Sequence, residues 1–458
     1  MTMHDDAVEG QIARWREYLR RRQAIRPADV EKLEGHLRDQ VAALVDAGLA
    51  ADEAFLVAVK RMGNFDAVSR EFAREHSERL WKQLVTGPDA TGAAASRTRH
   101  ELPVVVVLAL AAALAIKLPP LFGQPSLDPD EELPVFYVLN LALFVLPLLT
   151  GYFAWKRELD RAACLWLALP FAVGAVFVNS VPFAPRGHTQ VLAALHLPIA
   201  LWLAVGVAYA AGRWRTGAGR MDFVRFSGEL FIYFVLMALG GGVLTVFAGG
   251  IFAAIGVDLE RVIATWMLPC GAMGAVIVGA WLVEAKQSVV ENMAPVLTRV
   301  FTPLFTVLLL TFLVTMAWTR RGIDMDREVL IGFDLLLALV LGLLLYAVSA
   351  RDPQAAPGPF DVVLVVLVAS ALLADAVALA AIAGRISEFG FSPNRLAALG
   401  ENLVLLVNLA WSLWLYGRFV SGRGPFAAVE GWQTAYLPVY AVWAAVVVVV
   451  FPPLFGYQ

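Results

Sequence analysis

The side chains best placed to do chemistry sit in two apolar runs towards the C-terminal end. Asp375 is the lone acid near the middle of the run 360–384, and Glu401, Asn408 and Ser412 lie in the run 396–419. Each run is long enough to cross a bilayer, and the pair reads as a transmembrane hairpin. An unpaired carboxylate at mid-membrane costs at least ~2.5 kcal/mol, so Asp375 must face protein and either keep a proton or meet a donor. At about 100° per helical residue, Glu401, Asn408 and Ser412 fall within an arc of roughly 40° and make a polar stripe about 16 Å long. Two uses fit such groups: a wet cation or proton site, as in a carrier, or interhelical hydrogen bonds, as in a scaffold. Counted from the intervening loop, Asp375 and Asn408 differ in depth by only ~4 Å, so the spacing predicts that they meet.

The loop between the two runs, Arg385-Ile-Ser-Glu-Phe-Gly-Phe-Ser-Pro-Asn-Arg395, is the second candidate. Gly390 permits a turn, Ser392 can cap the following helix and Pro393 suits its first turn. Glu388 is in reach of Arg385 or Arg395. With Asn394 these residues form a compact motif, for which a structural turn is a better reading than a ligand site. Elsewhere there is no phosphate-binding loop, dinucleotide fingerprint, HExxH, paired CxxC or GxSxG, so no catalytic set, metal site or cofactor is expected. His36, His188 and His196 lack partner ligands and read as helix-surface, interfacial or packing residues. Cys164 and Cys270 read as small buried hydrophobes, and Lys117 as a side chain reaching for the headgroups.

The elements that must position these residues follow from composition. Of the 458 residues, 59% are hydrophobic and 16% charged, which excludes an ordinary soluble domain and fits a polytopic membrane protein. The net charge of −3 gives no reason to expect a nucleic-acid partner. Charge is concentrated at the start: residues 1–84 hold 29 of the 75 Lys, Arg, Asp and Glu side chains and no spanning run. There, four short amphipathic helices are expected: Val8 to Leu19; Val30, Leu33, Leu37, Val41 and Leu44, stopped by Gly48; Phe55, Val59 and Met62; and Phe65 to Trp81. The polar opening residues carry no signal peptide, and 85–101, rich in small and polar residues, reads as a flexible linker.

From residue 102 to 458 about eleven spans are expected, the first over 102–122 and the last over 433–455. In the first half Lys156, Arg157, Arg161, Arg213, Arg215, Arg220 and Arg225 fall on the side of the N-terminus, against Arg186 and Arg261 opposite. The positive-inside rule then places the N-terminus in the cytoplasm and, with an odd span count, the C-terminus outside. Gly241, Thr245 and Gly249, and again Gly271, Ala275 and Gly279, form small-residue strips suited to close helix packing. Gly240-Gly241-Gly242 is also a point where a long span would break into two half-helices.

Two resemblances add to this. Glu31-Lys-Leu-Glu-Gly-His-Leu-Arg-Asp39, Ala47-Gly48-Leu49, Glu53-Ala54 and Arg61-Met-Gly-Asn64 resemble the permease prefix domain that precedes bacterial membrane segments. That resemblance implies a cytoplasmic helical interaction module. Asn292-Met-Ala-Pro-Val-Leu-Thr298, Phe301-Thr-Pro303, the loop 385–395 and Tyr440-Ala-Val-Trp443 resemble the bacterial membrane proteins grouped as domain-of-unknown-function family 4153. Phe391 and Ser392 depart mildly from that family's loop, and the resemblance implies architecture and a bacterial inner membrane but no reaction. The expectation is therefore an all-α, multi-pass membrane protein that acts as a sensor, regulatory or scaffold component rather than an enzyme. It would have the lipid bilayer and a cytoplasmic protein as partners, and its ligand is unspecified. The alternative is a transporter or permease-like carrier.

Overall fold

Apolar runs become helices here, and their ends are set by local capping chemistry. The computed structural model describes residues 11–13, 15, 27–62, 87–285, 293–319 and 327–458, and no strand occurs among them. The chain divides into two units, Met1–Glu101 and Leu102–Gln458.

In the first unit α1 (Pro27–Asp46) opens on a proline, whose missing N–H is not needed in a first turn. It ends where Gly48 takes φ 96° and the amides of Gly48 and Leu49 bond back to the carbonyls of Val45 and Leu44 at 2.9 and 3.1 Å. Helix α2 (Ala51–Met62) follows. Leu37, Val41 and Leu44 of α1 meet Phe55, Ala58 and Val59 of α2 in one apolar cluster that also takes in Ile12 and Trp15. Most of the expected first helix, the whole expected fourth helix and the side chains of Val30, Leu33 and His36 lie outside the described residues. The segment read as a flexible linker is instead helical from Gly87, as the start of α3 (Gly87–Ala115). Its alanines favour helix once a turn has formed.

The second unit is a bundle of long helices. Among the described residues ten are long and apolar enough to cross a membrane. They are α4 (Val135–Lys156), α5 (Arg161–Ser180), α6 (His188–Ala210), α7 (Gly217–Ala254), α8 (Glu260–Ala285), α9 (Thr298–Trp318 within Met293–Thr319), α10 (Leu330–Ala350 within Arg327–Ala350), α11 (Pro359–Phe389), α12 (Pro393–Val420) and α13 (Phe426–Val449). The expected span 102–122 is shorter than anticipated: its apolar helix stops at Ala115, and Pro119 and Pro120 turn the chain into a 3₁₀ turn. Helix α7 stays continuous through Gly240-Gly241-Gly242, so the broken-helix alternative does not hold. In an apolar medium its backbone groups have no other partners, which keeps even a glycine triplet helical. The irregularity falls in α8, where Ile263–Met267 forms a π turn. Lys117, read as reaching for the headgroups, donates instead to the Thr265 carbonyl of that turn at 2.6 Å and lies over the Trp266 ring.

The two small-residue strips differ. Gly279 receives Leu230 and Met237 of α7 within about 3 Å of where a β-carbon would stand, whereas Gly241 has open space beside it. Close packing is therefore found at Gly279, while Gly271 of the same strip has open space beside it. Side chains at one end of the bundle join distant elements. Arg157 pairs with Glu284 at 2.9 Å and lies over Tyr209, and Arg225 donates to the Ser349 carbonyl at 2.6 Å. Arg351 bonds both oxygens of Asp361 and sits over Phe419 and Phe426, tying the start of α11 to the facing ends of α12 and α13.

The Trp443 indole of α13 lies against Gly400 of α12, where an added β-carbon would overlap it. Gly400→Ala is therefore expected to lower stability by about 1–3 kcal/mol, the usual cost of overpacking. Thermal unfolding of the purified protein in detergent reads this directly, and an unchanged midpoint would mean that Trp443 does not pack there.

Candidate functional site

The α11–α12 hairpin forms as its loop residues dictate. Gly390 ends α11 at φ 73°, its amide bonding the Ile386 carbonyl at 2.8 Å. Ser392 caps α12 through the Arg395 amide, and buried Pro393 occupies the first turn. Arg395 does not pair with Glu388, which is exposed; it donates to the carbonyls of Phe389 and Gly390 at 3.0 and 2.8 Å. Carbonyls at a helix C-terminus are left without intrahelical partners, so a guanidinium is better used there than on an exposed acid. Asn394 reaches across to His188, 2.9 Å away at the start of α6. Arg385 lies in the last turns of α11. The motif thus builds a turn and fastens it to a neighbouring helix.

Asp375 is fully buried, and neither carboxyl oxygen has a hydrogen-bond partner. This agrees with the expectation that it faces protein. It does not bond Asn408. Gln433 of α13 takes that place: the Asn408 amide donates to Gln433 Oε1 at 3.3 Å, and Gln433 Nε2 donates back to Asn408 Oδ1 at 3.4 Å. Gln433 Nε2 also donates to Ser412 Oγ at 2.6 Å, and the Ser412 hydroxyl donates to the Asn408 carbonyl at 2.6 Å. A carboxamide offers donor and acceptor together, which a carboxyl matches only when protonated, so Gln433 satisfies Asn408 more completely than Asp375 would.

The stripe on α12 therefore divides. Asn408 and Ser412, both fully buried, belong to a hydrogen-bonded joint with α13. Half-buried Glu401 belongs with a different group. Its neighbour Asn402 uses both amide hydrogens, one on Asp334 Oδ1 of α10 at 2.8 Å and one on the Ala398 carbonyl at 2.8 Å, while its Oδ1 is left without a partner. The charge of Asp334 acts on both Asp375 and Glu401. Acids of α10, α11 and α12 are thus linked through Asp334, to which the Asn402 amide donates. Helix α9, also packed on α11, contributes only the exposed Arg299 as a charged group among its described residues. No group of three or more His, Cys, Asp or Glu among the described residues is arranged to hold a metal ion.

Asp334, Asn402 and Gln433 are absent from the sequence-based site. Asp334 was legible in principle, as the lone acid in Ile331-Gly-Phe-Asp-Leu-Leu-Leu337. Gln433 was hidden because hydropathy started the last span at 433, whereas α13 begins at Phe426 after Pro425 and brings Gln433 two turns inside. Asn402 stands beside Glu401 and about 100° round the helix from it. His196 is buried and bonds the Leu192 carbonyl through Nδ1, a packing role. Both cysteines are free and half-buried.

Comparisons of the chain with protein-family models, with curated proteins and with solved structures find no match.

The two polar groups should respond oppositely to apolar substitution. Gln433→Leu strands the Asn408 amide and the Ser412 hydroxyl and is expected to cost about 1–3 kcal/mol, whereas Asp375→Leu breaks no hydrogen bond and should cost little. Paired thermal-unfolding curves decide this, and an equal loss in both variants would contradict the division of the site.

Proposed function

We propose that this chain is a multi-pass regulatory component of a bacterial inner membrane. In this reading its α10–α12 acid cluster senses protons and its N-terminal helical unit presents an interaction surface to a cytoplasmic protein. One observation carries the reading: Asp375, fully buried, has no donor on either oxygen and has Asp334 for an acidic neighbour. Such a carboxyl is tolerated in an apolar interior as the neutral acid, and ionising it adds a charge beside Asp334. Proton loss would then push α10 and α11 apart, which turns a local change of charge into a change of helix packing. Cytoplasmic placement of the N-terminus rests on the positive-inside rule applied to the Lys156–Arg225 half of the chain. The prefix-domain and family-4153 resemblances support a bacterial setting.

A permease-like carrier is the second reading, favoured by acids of three helices linked through Asp334, which is also what a cation pathway requires. Two cavities in the bundle, of about 460 and 450 Å³, are lined by other residues.

Hydrogen–deuterium exchange of the full chain in proteoliposomes, compared at neutral and mildly alkaline pH, separates these readings. The expected result is pH-dependent protection of α10–α12 that disappears in Asp375→Asn, with no accompanying proton or cation flux. Protection indifferent to pH would overturn the sensing role, and a flux abolished by Asp375→Asn would establish the carrier instead.

A further inference from the structure

A different part of the bundle holds two adjoining cavities. The two cavities share Leu141 of α4 and Met273 and Val276 of α8 as walls, so they form one continuous groove. Its second part runs among Val145, Leu146, Pro198, Ile199 and Trp202, and no charged residue lines it. Along α4 the lining runs from Tyr137 to Leu146, nine residues or about 14 Å of helix. That is close to the ~15 Å depth of hydrocarbon in one leaflet. The groove opens sideways, because its wall residues Leu141 and Ile199 are 46% and 48% exposed on helix faces that also expose Val138 and Leu195.

The outer end has a definite charge. The charged residues lining it are Asp128 and Glu131, both in the loop before α4. The nearby bases are already engaged. Arg261 pairs with Asp128 at 3.1 Å and Asp130 at 2.8 Å, and the Lys117 ammonium is held by the Thr265 carbonyl and the Trp266 ring. Asp128 is firmly anionic: the backbone amide of Asp130 holds its carboxyl below the usual range, and Arg261 adds to this. Glu131 is exposed, and its carboxylate has no ion pair among the described residues. An apolar slot one leaflet deep, open to the lipid side and rimmed by a free carboxylate, is complementary to an acyl chain whose headgroup carries a cation.

We propose that this groove binds one acyl chain of a bilayer aminophospholipid, with the headgroup ammonium at Glu131. The proposal is independent of the acid cluster, which lines neither cavity. The test is native mass spectrometry of the full-length protein, released from micelles holding equal amounts of phosphatidylethanolamine and phosphatidylglycerol. Wild-type protein is expected to retain the ethanolamine lipid in preference, and Glu131→Lys, an exposed change that leaves packing alone, should reduce that preference by about two- to fivefold, the scale of an exposed ion pair. Val276→Trp, which fills the shared wall, should abolish retention of both lipids. Equal retention by the wild type, or a preference unchanged in Glu131→Lys, overturns the headgroup assignment. Retention that survives in a folded Val276→Trp protein overturns the groove.

Discussion

A carboxyl group enclosed by hydrocarbon and given no donor is one of the least favourable arrangements a membrane protein can hold, and Asp375 is held in it by three helices at once. Nothing in the hairpin alone would keep it there. Arg351 locks the start of α11 against Asp361, Phe419 and Phe426, and Arg395 with Ser392 locks the opposite turn. Between these two clamps, α11 has little freedom to rotate Asp375 towards lipid. Asp334 is held in turn by Asn402, which faces inward beside Glu401. The acids are therefore brought together by contacts that do not themselves involve Asp375, the usual condition for a strained group to persist.

The polar contacts of the bundle fall into two kinds. The Asn408–Gln433–Ser412 joint and the Arg157–Glu284 pair have their donors and acceptors matched, and they fix helices in register. The Asp334–Asp375–Glu401 group is matched only at one amide. Matched polar groups inside a membrane bundle serve packing, while unmatched ones are retained against a standing free-energy cost and so point to use. This contrast, and not the mere presence of acids in apolar runs, separates the proposed sensing group from its surroundings.

What could be read without coordinates was local. The spans were legible because apolar length maps directly onto bilayer thickness, and the α11–α12 turn because Gly390, Ser392 and Pro393 act on their own backbone. The stop after α1 at Gly48 was legible for the same reason. Partners were not, because contacts between helices depend on rotation and tilt that no single run records. Asp375 was rightly turned inward, yet its expected partner Asn408 was claimed by Gln433, a residue concealed by a misplaced span boundary. Lys117 failed as a headgroup-seeking residue because the π turn at Ile263–Met267 presents the Thr265 carbonyl to it. The glycine triplet at 240–242 suggested a break that would matter in water and does not occur in an apolar setting.

The central claim is that Asp375 is a neutral acid at neutral pH, enclosed beside Asp334. Infrared difference spectroscopy of the full-length protein in lipid, comparing wild type with Asp375→Asn, measures this most directly. The account predicts a protonated-carboxyl C=O band in the wild type at neutral pH that is missing from the variant. A spectrum in which the substitution removes only ionised-carboxylate bands would contradict it.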